Sequence, residues 1–168
     1  MRLRLNGAGS VSQEGKMKMN DENASDLVER LLKEPYVVID MLPRQVPRNS
    51  AGQYFAVERH YLEGPQNEKL RAGFADILLK LNCYYDLLFL KDGEEKAFCA
   101  DPDRTAELVM RNSGQLCVIA EPGDTLITYA HDDAYMTVYH ADETMMGLLK
   151  DLASANGLFV WKPETEVL

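Results

Sequence analysis

The segment PRQVPRNSAG, residues 43–52, gathers Arg44, Gln45, Arg48, Asn49 and Ser50 around Pro43 and Pro47, in a chain otherwise short of positive charge. Guanidinium forks and amides grip carboxylates and phosphates, and a loop stiffened by prolines loses little entropy in doing so. It reads either as an anion-gripping loop, with Arg44, Gln45 and Arg48 as ligand-binding residues, or as an ordinary connection whose prolines end two strands. Just upstream, Asp40 interrupts the apolar run YVVIDML. A carboxylate buried there must find a partner or keep its proton, and Arg44 or Arg59 would be that partner. Downstream, Gln53–Leu62 is expected as a strand with Tyr54, Glu58 and His60 on one face. Glu58 and His60 then stand at i, i+2, where two side chains can act on one ligand or proton. Asp40, Glu58 and His60 are therefore the catalytic candidates, Tyr54 joins the loop as a ligand contact, and a structural ion pair beneath the loop is the competing explanation.

His131, Asp132, Asp133 and His140 are the donor types a divalent metal takes. The expected strand between the two histidines would hold them roughly 20 Å apart at about 3.3 Å per residue, and Asp-Asp at a tight turn is chiefly turn chemistry, so no metal site is expected. Tyr135, Thr137 and Tyr139 share one strand face and Met136 and Val138 the other. The second is the expected core face, and the tyrosine face is a contact patch unless a helix covers it. Cys83, Cys99 and Cys117 include no CxxC pair. As an odd number beside apolar runs, they read as small reduced hydrophobes rather than a disulfide framework or a zinc site. Neither GxxxxGK[ST], nor GxGxxG between strand and helix, nor GxSxG, HExxH or an EF-hand loop occurs, so no cofactor is implied.

These residues need elements to hold them. Leu27, Val28, Leu31 and Leu32 recur at helical spacing over 23–33, capped by Asn23 or Ser25 and stopped by Pro35. YVVIDML is a strand covered on both faces. A helix opens at Gly64-Pro65 with Leu70, Phe74, Ile77, Leu78 and Leu81 as its stripe. YYDLLFL is a strand, with Asp92-Gly93 a hairpin signal into EKAFC. Asp101-Pro102 caps a short helix, and strands over 115–120, 124–130 and 134–140 form an antiparallel meander through short connections. Asp142 caps a last helix that ends at Asn156-Gly157, before the strand LFVWK. The chain is thus a single α+β domain, mostly antiparallel sheet with helices packed on it. Its halves echo each other at a spacing of roughly 80 residues, as an internal pseudo-duplication would.

The chain has 168 residues, 46% hydrophobic and 27% charged, with 18 Lys and Arg against 27 Asp and Glu for a net charge of -9. That balance excludes disorder as an overall class, and its sign repels nucleic-acid phosphates and anionic lipid. No apolar run reaches the roughly 18 residues a membrane span needs, and cytoplasmic residence is expected of the reduced cysteines. Residues 1–20 are a basic tail without periodicity, 21–163 the domain, and 164–168 a frayed end. Gln13-Glu14-Gly15 can be encoded by CAG GAG GGN, a purine-rich ribosome-binding sequence just before Met17, so Met17 or Met19 is an expected start.

In YVVIDMLPRQVPRNSAGQYFAVERHYL and DDAYMTVYHADETMMGLLKDLASANGLFVWKP the chain resembles an uncharacterised family of short cytosolic proteins of Gram-positive, clostridial-type bacteria. The resemblance covers most of residues 35–163 and brings no activity with it. The preferred reading is a non-enzymatic binding or regulatory module for a protein or small anionic ligand. The alternatives are a small enzyme using Asp40, Glu58 and His60, and an acidic inhibitor or immunity-type protein presenting Asp132, Asp133 and Glu143 to a basic target.

Overall fold

The fold was analysed in a computed structural model, which describes residues 23–91, 94, 96–111 and 113–164. The basic tail, the Asp92-Gly93 signal and the last four residues lie outside them. Apolar alternation along the strands and capped amphipathic helices build an α+β domain. Among the described residues its elements run α1 (Ala24–Leu31), β1 (Tyr36–Asp40), α2 (Ala51–Glu63), α3 (Gln66–Leu81), β2 (Asp86–Lys91), α4 (Pro102–Met110), β3 (Gln115–Glu121), β4 (Thr125–Ala130), β5 (Tyr135–Tyr139), α5 (Glu143–Ala155) and β6 (Phe159–Trp161). The strands form one antiparallel sheet in the order β2-β3-β4-β5-β1-β6. The expected meander is present as β3-β4-β5.

Local chemistry sets the helix ends. Asn23, Asp101 and Asp142 each accept a hydrogen bond from the backbone N–H three residues on, at 2.9, 2.8 and 2.8 Å, satisfying a donor that a helix N-terminus leaves open. Gly157, at φ 69°, follows α5 in the left-handed conformation that glycine tolerates.

The two faces of the sheet are covered differently. On one, Val37, Ile39, Phe89, Val118, Ile127, Met136 and Val138 pack against Phe74, Ile77 and Leu78 of α3, Val109 of α4 and Leu149 of α5. Met136 and Val138 are thus core residues, as their apolar character predicts. On the other face α1 seals only the β2-β3-β4 side, through Leu27, Val28 and Leu31 against Leu88, Leu90, Ile119 and Leu126. The β5-β1-β6 side of that face is left to the proline loop and one residue of α2. As a repeat would require, the pairs β3-β2 and β1-β6 occupy matching places in the sheet, yet α1 and α4 lie on opposite faces.

Two expectations are corrected. Residues 53–62 are helical, not a strand. The alternation of Phe55, Val57 and Tyr61 suggested a strand, but Tyr54, Glu58, Tyr61 and Leu62, at i, i+4, i+7 and i+8, are the positions not exposed over residues 52–63 of this helix. They form a helical stripe. Glu58 and His60 therefore do not share a face. Of the cysteines, Cys117 packs at the edge of the smaller core, whereas Cys83 and Cys99 are exposed and do not act as core hydrophobes.

The division between the α3 core and the thinly packed α2 has a measurable consequence. Phe74 is fully buried while Phe55 is 59% exposed. By chemical denaturation, Phe74→Ala is expected to lose about 3–5 kcal/mol and Phe55→Ala no more than about 0.5 kcal/mol.

Candidate functional site

Strand register assembles the site before any loop contributes. On β1, Tyr36, Val38 and Asp40 alternate onto the face away from the main core, opposite Tyr139, Thr137 and Tyr135 of β5. Trp161 of β6 stands beside Val38. The same face thus presents three tyrosines, a tryptophan and a carboxyl. The tyrosine face of β5, read from sequence as a surface separate from the arginine loop, is the floor beneath that loop. Gln45, Val46, Pro47 and Arg48 from the loop, Tyr54 from α2 and Pro163 after β6 complete a hollow of about 470 Å³. Gln45 ties the roof to the floor, its side-chain oxygen accepting from the Glu164 N–H at 2.7 Å.

Asp40 is the chemical centre of this hollow. It is only 4% exposed, and its carboxyl is pushed up from 3.8 to about 6, chiefly by burial and further by the charge of Glu58. Hydrogen bonds from the backbone oppose the shift, among them Leu42 N–H to Oδ1 at 3.1 Å. That bond also turns the chain out of β1 into the proline loop. The ion pair expected with Arg44 or Arg59 is absent. Arg44 is exposed outside the hollow, and Arg59 faces Glu63 at 4.0 Å on the open side of α2. Arg48 stands at the mouth, and no cation among the described residues acts on the Asp40 carboxyl.

The remaining candidates divide by position. Tyr54 lines the hollow and donates its hydroxyl to Glu58 Oε1 at 3.0 Å. Burial and this neighbouring carboxylate both raise its pKa. Glu58 sits behind Tyr54 rather than in the hollow, and its charge also helps to raise Asp133 and Tyr135, in both of which burial leads. His60 is exposed, with its ring edge-on to Tyr61. Asp40, Glu58 and His60 therefore do not converge, and the structure keeps Asp40 and Tyr54 as lining groups.

Sequence reading missed Tyr36, Trp161 and the convergence of the β5 tyrosines with the loop. The i, i+2 spacing of Tyr36, Val38 and Asp40 carried half the signal, but the pairing of β1 with both β5 and β6 carried the rest. Trp161 Nε1 is buried at the same wall; it lies near Asp40 but makes no hydrogen bond of good geometry. His131 and His140 lie at opposite ends of β5: the His131 carbonyl accepts from Arg71 Nη2 at 2.6 Å, and His140 Nδ1 is 3.2 Å from the Gly123 carbonyl oxygen. Asp132 and Asp133 are separated from Glu143 by the same strand. No group of three or more metal-ligating side chains occurs among the described residues, nor is any helix among them long and apolar enough to cross a membrane. No family model matches the sequence, and neither a curated protein nor a solved structure matches it.

The raised pKa of Asp40 fixes a sign for its effect on stability. Between about pH 4 and pH 6 the folded chain holds a proton that the unfolded chain has released, so this group makes stability fall as pH rises through that window. Asp40→Asn is expected to be more stable than the parent at pH 7.5 by about 1–3 kcal/mol, and equal to it near pH 3.5. Urea unfolding at the two pH values measures this.

Proposed function

We propose that this protein is a non-enzymatic binding module whose ligand is a small molecule seated between the β5-β1-β6 floor and the proline loop. What carries the reading is that the hollow holds a buried carboxyl uncompensated by any described cation, with the Trp161 indole N–H beside it as a poorly aligned donor. Polar groups buried in this way cost stability unless something meets them, and a ligand that does so recovers that cost on binding. The hollow has the size and mixed lining of small-molecule sites, with aromatic walls and few polar anchors. Arg48 and Gln45 form its mouth, and Tyr54, Tyr135, Tyr139 and Trp161 are the contact surfaces. The cytoplasm is the compartment that fits its three free cysteines.

One observation favours a second reading. A carboxyl that titrates at about 6 can exchange protons near neutral pH, which is what a general acid or base must do. In that case Asp40 acts alone, since neither Glu58 nor His60 enters the hollow.

Trp161 is the single tryptophan of the chain and lines the site, so its fluorescence reports occupancy directly. Screening a chemically mixed set of small cations, neutral molecules and anions is expected to yield compounds that shift Trp161 emission and raise the melting temperature without being consumed. If no compound of any class does so, the binding reading fails; turnover of a compound that depends on Asp40 would establish the enzymatic one.

A further inference from the structure

Resting on the binding reading above, the geometry points to a small organic cation, an aliphatic or quaternary ammonium, as the ligand, held by Asp40 and faced by Tyr54, Tyr135 and Trp161. Sheet register fixes three of these four groups: Asp40 is opposite Tyr135, and Trp161 is paired with Val38, whose side chain shares their face. Tyr54 closes over them from α2. A cation placed there meets a carboxylate withdrawn from water and lies among the aromatic residues Tyr54, Tyr135 and Trp161, a class of side chain that attracts ammonium groups.

At the Asp40 end of the hollow the charge is negative, and Arg48 lines the hollow as well. Asp40 lies inside it, while Glu58 and Asp133 stand close enough for their charges to bear on Tyr135. An anion at this end would meet like charge in a poorly screened place. The positive group of the hollow, Arg48, is exposed at the mouth and is not among the groups acting on Asp40. The arginine loop suggested an anionic ligand when read as sequence; the floor beneath it has the opposite polarity. An inorganic divalent ion does not fit: Ca²⁺ and Mg²⁺ take six or more oxygens and favour carboxylates, Zn²⁺ takes several His, Cys or carboxylate ligands, and among the described residues Asp40 is the single such group lining the hollow. A quaternary ammonium is weakly hydrated and loses little by leaving water, while an aliphatic ammonium loses more and regains it in hydrogen bonds to the Asp40 carboxylate.

The test is direct binding to the whole protein, read by Trp161 fluorescence and by calorimetry. Choline and butylammonium are compared with their neutral counterparts, dimethylbutanol and butanol, and with the anion pivalate. The two cations are expected to bind at least about tenfold more tightly than their neutral counterparts. Asp40→Asn should bring that ratio to within about threefold while leaving the neutral compounds unchanged. Tyr135→Leu, which keeps bulk and removes the ring, should weaken the cations several-fold more than the neutrals, and it serves as the second variant should the first perturb the fold. Neutral or anionic compounds binding as well as the cations would overturn the inference and leave the binding reading standing. Cation preference surviving in Asp40→Asn would overturn the role given to that carboxylate. Failure of every class of compound would bring down both.

Discussion

A carboxyl group in the middle of a sheet face, out of water and without a cation to balance it, is the constraint around which this molecule is arranged. β1 is the best-buried strand on its side of the sheet, flanked by β5 and β6, and every side chain at its Asp40 end must accommodate that group. The backbone supplies part of the compensation by turning at Leu42, and the same turn launches the proline loop. Tyrosine and tryptophan rings, which tolerate a polar neighbour better than aliphatic side chains do, fill the face where the opposite face uses valine, isoleucine and methionine. The loop, the aromatic floor and the displaced pKa are three consequences of one placement.

The unequal cover of the two sheet faces follows from this. The α3 side is a packed apolar interior with Phe74 at its centre, and it provides the stability. The opposite face is divided between α1, which buries leucines in the ordinary way, and a region roofed by a loop and a single helical tyrosine. A protein that keeps a carboxyl without a countercharge there gives up stability, a trade common to binding and catalytic positions.

Much of this was legible in the sequence. The three capped helix starts, the meander and the apolar core face of β5 follow from short-range patterns that the tertiary structure does not overrule. Asp40 announced itself as a polar residue in a strand of buried type. Two things were hidden. In QYFAVERHYL the alternation of period two and the stripe Tyr54, Glu58, Tyr61, Leu62 coexist, and no local pattern chooses between them; in the fold the helical stripe prevails. The joining of loop and tyrosine face was hidden because β1 and β5 are nearly a hundred residues apart, and no local pattern encodes which strands will be neighbours.

The central claim is that the fold buries Asp40 without a countercharge, and the carboxyl-carbon titration of that residue by NMR in the unliganded protein tests it most directly. The account requires a midpoint displaced to about 6. A midpoint at or below the ordinary 3.8 would mean that water or a cation already satisfies the group, and the hollow would then have no unmet charge for a ligand to answer.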